Sequence, residues 1–253
     1  MEANQPPVDF PKLQKNEVHV WRISLVSEQY DLAVLQRYLS TSELKKAERF
    51  HFHDDQKGYI IGRSILRLLL SQYLQILPAE LELRQGEYGK PFLAPGCNEA
   101  VFDFNLSHSE GVMLCVISRH RQVGIDIEYI TADIDELELA DRFFTPQEAA
   151  LLKTLPAADR LEAFYTLWTV KEAYLKAIGM GVANGLESFD VPYSVMESLV
   201  LERNEKRAGR WRQWHLRILH TAPGYIAAIA AEGPQWKLKY RDWGEFLPGQ
   251  YKR

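Results

Sequence analysis

The sequence has almost no cysteine. Only Cys97 and Cys115 occur in 253 residues, in no metal or redox spacing. Two cysteines cannot build a disulfide framework, so a reducing cytoplasm is the expected setting. Long apolar runs are lacking too. The most apolar stretches are short or, like GRSILRLLL with Arg63 and Arg67, carry charge. A membrane-spanning helix needs about 20 apolar residues, so no membrane span is expected. The opening MEANQPPVDFPKLQKNE has no apolar h-region of the kind a signal peptide needs. An excess of positive charge is also missing: 30 Lys and Arg face 34 Asp and Glu, a formal charge of −4. No nucleic-acid partner is expected, and any anionic ligand must be held by a local cluster. The rest is an ordinary globular balance, 46% hydrophobic and 25% charged. A chain this long buries a sizeable core without staples.

Residues 1–16, with three prolines, are expected to form a loose arm. EVHVWRISL alternates as a strand. Ser40 and Glu43 have capping-box spacing and open a helix through Phe50. A long helix is expected from about Asp55 to Leu77, stopped by Pro78. LELRQGEYGKPFL reads as strand, turn, strand, and VFDFNLSHSEGVMLCVIS as a hairpin with its loop at Ser107–Gly111. The second half repeats the order. VGIDIEYI is a strand, and Thr145, Pro146 and Glu148 form a second capping box. A long amphipathic helix then ends near Gly179, and WRQWHLRIL and GYIAAIAA alternate as strands. One offset of 105 residues carries Val18 onto Val123, Ser40 onto Thr145 and Arg67 onto Glu172. Element order repeats although residue identity does not. The expected fold is α/β (α+β): a pseudo-dimer of two similar lobes, residues 17–120 and 121–253, with a ligand cleft between them.

In VGIDIEYI, Val123, Ile125 and Ile127 share one face and Gly124, Asp126 and Glu128 the other. Side chains two apart on a strand lie roughly 6.6 Å apart along the backbone, so two carboxylates can converge on one cation. All-oxygen ligands suit magnesium, which takes one or two carboxylates together with phosphate oxygens. The same alternation also describes a half-buried strand with a solvated acidic face. On the helix EAFYTLWTVKEAYLKAIG, Glu172 and Lys176 are one turn apart. They form either a surface ion pair or part of a site in which Glu172 joins Asp126 and Glu128, and Lys171 and Lys176 hold phosphate oxygens. Ser107 and His108 come where a strand is expected to end, both able to donate to phosphate. Lys90 stands between Gly89 and Pro91. Lys45, Lys46, Arg49, Lys57, Arg63 and Arg67 make the first helices locally basic, diluted by Glu43, Glu48, Asp54 and Asp55.

Taken together and in order, GKPFL, FNLSHSEG, VGIDIE and WTVKEAYLKAIG resemble the motif series of the 4′-phosphopantetheinyl transferase superfamily. The likeness is to the large, two-lobed type that serves peptide and polyketide synthetases. It implies a holo-acyl-carrier-protein synthase activity: transfer of 4′-phosphopantetheine from coenzyme A to a serine of an apo acyl, peptidyl or polyketide carrier protein, by a monomer. It implies that Asp126, Glu128 and Glu172 bind magnesium, with Glu172 the first choice for general base. His108 and Lys176 would contact phosphates, and Lys90 and Pro91 would border the nucleotide. Ser107 and Lys171 would share that pocket, and the basic cluster with Lys46 would reach the 3′-phosphate. Glu148 matches a family glutamate, but its capping-box position explains it without chemistry.

Overall fold

The computed structural model describes residues 10–96, 102–181, 185–192, 198–205 and 210–246. Alternation sets the first strand, β1 (Glu17–Ser24): Trp21 and Ile23 face one core, Val18 and Val20 another. Short helices α1 (Leu32–Gln36) and α2 (Thr41–Ala47) lead into the long α3 (His53–Leu74). The Ser40 capping box forms as expected, the Ser40 N–H donating to Glu43 Oε2 at 2.7 Å. Helix α3 ends before Pro78, at Gln75, which adopts a left-handed φ of 55°. A small ribbon, β2 (Leu83–Gln85) and β3 (Pro91–Leu93), precedes the hairpin of β4 (Phe102–Ser109) and β5 (Val112–Arg119). The turn of that hairpin is only Glu110 and Gly111, both at positive φ. Ser107 and His108 therefore lie inside β4, not in the expected loop.

The second half opens with β6 (Val123–Tyr129) and α4 (Glu136–Phe143). The Thr145 capping box starts α5 (Pro146–Thr154), and α6 (Ala157–Ala177) follows after a break at Pro156. The single long helix expected here is thus two. Three antiparallel strands complete the sheet: β7 (Ser198–Glu205), β8 (Arg210–Leu219) and β9 (Tyr225–Glu232). Then β10 (Lys237–Asp242) and α7 (Trp243–Phe246) end the described chain.

The strand orders are β10-β1-β5-β4 and β6-β9-β8-β7. The series β1-β5-β4 repeats as β6-β9-β8, so the fold is a pseudo-dimer of two α/β lobes. The repeat reaches side chains. Each capping-box glutamate meets a buried cation from its lobe's long helix: Arg67 Nε on Glu43 Oε2 at 2.7 Å, and Lys171 Nζ on Glu148 Oε2 at 2.8 Å. Helix α3 covers the outer face of the first sheet, and α6 that of the second. Between the sheets, Val18, Val20, Leu114 and Val116 pack on Ile125, Ile127 and Ile229. Burial on two fronts makes both sheets cores rather than surfaces, which is why β5 is apolar almost throughout.

Two expectations about the ends are corrected. Strand β10 pairs in parallel with β1, so the tail does not stay with the second lobe. Within the expected arm, residues 1–9 lie outside the described residues, but Phe10 stacks on Trp21 at 5.5 Å and Leu13 is buried. An aromatic ring on a tryptophan face outweighs the local polarity of that segment.

The lobes are joined along one edge by side chains. The polar face of β4 reaches the backbone of β6: Val123 N–H donates to Asp103 Oδ2 at 2.8 Å, Ile125 N–H to Asn105 Oδ1 at 3.0 Å, and Tyr129 N–H to Ser109 Oγ at 3.0 Å. This ladder satisfies donors that an edge strand would otherwise leave open. It also fixes which residues of β4 face which of β6.

Candidate active site

Asp126 sits in the middle of that junction, fully buried. Ser107 of β4 donates to its Oδ1 at 2.8 Å, and Lys176 of α6 donates to the same oxygen at 2.5 Å. Lys176 also donates to Ser107 Oγ at 2.9 Å and lies 3.4 Å from Glu172 Oε2. Two residues along β6, Glu128 Oε2 accepts from Ser109 Oγ at 3.3 Å. Ser107, Asp126, Glu172 and Lys176 are therefore one connected cluster, with Glu128 beside it.

Gly124 is what lets α6 come so close. A Cβ at this position would lie 2.1 Å from the Ala173 carbonyl oxygen and 2.3 Å from the Ala177 nitrogen. The helix backbone rests directly on the strand, and that brings Glu172 and Lys176 to Asp126. From Ala163 on, helix α6 is consequently buried nearly all round, not amphipathic. Leu175 and Lys171 are fully enclosed and Glu172 is 7% exposed.

The cluster is short of positive charge. Glu172 is pushed up to about 7, first by desolvation and then by the Asp126 carboxylate, against the opposing pull of Lys176. Glu128 is likewise pushed up to about 7 by desolvation and by Asp126. Burial alone would lower Lys176, but Asp126 and Glu172 outweigh it and hold the ammonium above its ordinary range. Asp126 Oδ2 is buried with no hydrogen-bond partner among the described residues. Among those residues no group of three or more His, Cys, Asp or Glu is arranged to hold a metal ion. The donor chemistry nonetheless fits a hard divalent cation: oxygen ligands, repelling one another, with one carboxylate oxygen unpaired. Lys176 occupies Asp126 Oδ1 and supplies part of the missing charge.

The opposite face of β4 turns His108 into a cleft of about 610 Å³ bordered by α3, the end of α2 and Pro91. Lys46 lines it, its ammonium 5.3 Å from the centroid of the Tyr59 ring, and Phe50 packs on Tyr59 in a tilted arrangement at 5.3 Å. Desolvation and then the Lys176 ammonium lower the pKa of His108.

Two expected ligand-side residues, Lys171 and Lys90, are held away from the cleft. Lys171 does not reach the cleft. Its ammonium is buried in the second lobe on Glu148 and on the carbonyls of Leu186 and Phe189. Glu148 is held structurally, accepting from Thr145 N at 3.0 Å and Val191 N at 2.8 Å. Lys90 braces the lobes, donating to Asp103 Oδ2 at 2.9 Å, Val123 O at 3.0 Å and Ala177 O at 3.3 Å. In the basic cluster, Arg63 and Arg67 both bind Glu43, and Arg67 also caps the carbonyls of Pro78 and Leu81. The apolar side chains after Glu128, Ile134, Leu137 and Leu139, are half-buried against the second core. Sequence reasoning missed Gly124 as a contact and the ladder Asp103, Asn105 and Ser109. The period-two polar residues of FDFNLSHS were the available signal for the ladder.

Comparison with known proteins followed the same division of the chain. A family model described as 4′-phosphopantetheinyl transferase superfamily matches residues 122–230, and one described as 4′-phosphopantetheinyl transferase, N-terminal, matches residues 24–120. The 4′-phosphopantetheinyl transferase HetI of Nostoc sp. is 37% identical over 228 residues, 90% of this chain and 93% of that protein. A phosphopantetheinyl transferase of Thraustochytrium sp. is 34% identical over 79% of this chain and 72% of its own length. The 4′-phosphopantetheinyl transferase Sfp of Bacillus subtilis is 29% identical over 79% of this chain and 84% of its own.

Proposed function

This chain belongs to the 4′-phosphopantetheinyl transferase superfamily, and we propose that it moves 4′-phosphopantetheine from coenzyme A to a serine of an apo carrier protein, with magnesium, releasing adenosine 3′,5′-bisphosphate. The observation that carries the residue roles is the buried cluster of Asp126, Glu172, Lys176 and Ser107 with Glu128 beside it.

Asp126, Glu128 and Glu172 would hold magnesium. Bound there, the metal would neutralise charge on the pyrophosphate. Phosphoryl transfer asks little covalent work of the protein, so positioning and charge dominate. Lys176 and Ser107, already facing the cluster, orient the phosphates as donors, and His108 does so from the cleft side. The adenosine portion lies along the cleft toward Lys46, with Pro91 at its border. Glu172 takes the proton from the carrier serine. In the metal-free protein, burial and the Asp126 carboxylate raise its pKa, the direction a general base needs. Lys90 acts through others: it ties the start of β6 to the end of α6. Carriers of the acyl, peptidyl and polyketide kinds are all compatible with this site. The carrier docks beside the segment after Glu128, where Tyr129 is exposed. We take a monomer as the active form. The free, buried Cys115 thiol is in keeping with a reducing cytoplasm.

The test is the mass of apo-carriers after incubation with enzyme, coenzyme A and magnesium. The reading expects one phosphopantetheine added per carrier. A carrier of unchanged mass beside hydrolysed coenzyme A would replace transfer with pyrophosphate hydrolysis.

A further inference from the structure

Resting on the magnesium reading of the carboxylate cluster, we propose that Tyr225 is a positioning residue for Glu128. Its hydroxyl holds the turn between β4 and β5 and, through Ser109, the direction in which Glu128 presents its carboxylate. Tyr225 Oη donates to the Glu110 carbonyl at 2.6 Å. Glu110 belongs to the first lobe and Tyr225 to the second. The ladder of Asp103, Asn105 and Ser109 carries side chains of the first lobe to backbone of the second. Tyr225 closes the end of that ladder in the reverse sense, a side chain of the second lobe on backbone of the first.

The turn needs holding. Glu110 and Gly111 both have positive φ, 40° and 78°. Glycine enters that region freely and glutamate does not. Two-residue turns of this kind favour Asn, Asp or Gly where this one has Glu110. Its two carbonyls are held from different sides. Gly111 O accepts from Leu25 N–H at 2.7 Å within the first lobe, and Glu110 O accepts from Tyr225 across the junction. Tyr225 is itself fixed. It faces Tyr129 at the end of the β6–β9 pairing, and the rings meet edge to face at 5.0 Å. Before it, Gly224 has a φ of 82°, and a Cβ there would lie 3.0 Å from the Tyr129 ring.

Ser109 passes this on to Glu128. It immediately precedes Glu110 in the chain. Its Oγ accepts from Tyr129 N–H at 3.0 Å and donates to Glu128 Oε2 at 3.3 Å. The second bond is already at the long end for two oxygens, so a small shift of the turn breaks it. Groups standing behind a metal ligand fix its orientation, and losing one costs about 10–100-fold in metal affinity or activity.

The experiment is calorimetric titration of magnesium into the full chain saturated with coenzyme A, with no carrier present. It compares wild type, Tyr225→Phe, Ser109→Ala and the double variant. Tyr225→Phe keeps the ring against Tyr129 and removes only the hydroxyl. The proposal expects its magnesium affinity to fall about tenfold, and that of Ser109→Ala to fall at least as far. The double variant should bind no more weakly than Ser109→Ala, because Tyr225 acts through Ser109. Coenzyme A affinity without magnesium should match wild type in all of them. A Tyr225→Phe affinity for magnesium equal to wild type overturns the proposal, whatever its melting temperature. So do losses that add in the double variant. So does an equal weakening of coenzyme A without magnesium, because Glu110 and Gly111 line the cleft and would then serve as its wall. Wild type that binds no magnesium overturns the inference together with the metal reading. Carrier modification by wild type, measured alongside, keeps the two apart: transfer by wild type with an unaltered Tyr225→Phe sinks only the role of Tyr225, and the expected affinities without transfer sink only the transfer reading.

Discussion

Lys171 and Lys176 are a little over one turn apart on α6 and do unlike work. Lys176 reaches the carboxylate cluster; Lys171 is sealed in the second lobe on Glu148. The sequence WTVKEAYLK cannot separate them, because both are lysines beside or near Glu172 and their partners come from distant segments. Lys171→Met should therefore act on stability. It leaves the Glu148 carboxylate buried and unpaired, a loss of about 3–5 kcal/mol, read as a lowered urea midpoint. A midpoint like that of wild type would return Lys171 to the ligand side. Glu128 gives a prediction of the opposite kind. Its carboxyl is held at about 7 in the folded protein against an ordinary 4.5. Across that window the folded state binds more protons than the unfolded chain, so this group costs stability as pH rises. Glu128→Gln removes the cost. Without metal, the variant should gain on wild type between pH 5 and 7.5, with about 2–4 °C in melting temperature for each kcal/mol. A constant difference between the two melts across that range would contradict the raised pKa.

At the scale of elements, the contact of β6 with α6 decides the site. Gly124→Ala drives a methyl against Ala173 and Ala177 backbone. Overpacking of this kind costs about 1–3 kcal/mol or more, and here it also pushes Glu172 and Lys176 from Asp126. Both the melting temperature and the transfer rate should fall; an unchanged melt would mean the helix does not rest on the strand. Strands β1, β6, β8 and β9 were legible because each alternates, and the capping boxes were legible because they are local in sequence. The close approach at Gly124 was not, since a glycine in a strand has several uses and only its partner tells which. The β4 hairpin was read one turn too early. Ser107, His108 and Ser109 look like loop residues, yet they continue the strand because each second one binds across to β6. Neither β7 nor β10 was read. The strand KLKYRD is half polar at a sheet edge, and nothing within it names β1 as its partner.

For the whole molecule, the 105-residue offset anticipated the pseudo-dimer because capping and strand order repeat even where identity is lost. The crossing of β10 back to the first lobe was invisible, as pairing between chain ends leaves no local pattern. The site lies where the repeat is broken. Ser107 comes from one lobe and Asp126, Glu172 and Lys176 from the other. Both lobes keep a structural cation on the capping-box glutamate, Arg67 and Lys171; beside Lys171 the second lobe also presents Glu172 to the junction. The account's central claim is that this carboxylate is chemical and the fold does not need it. Glu172→Gln tests it most directly, with transfer rate at saturating magnesium and melting temperature taken on one preparation. Loss of the base alone should slow transfer about 10²–10⁴-fold, while the melt stays level or rises as like charges are relieved. A rate within a few-fold of wild type, or a rate lost only together with the fold, would contradict the account.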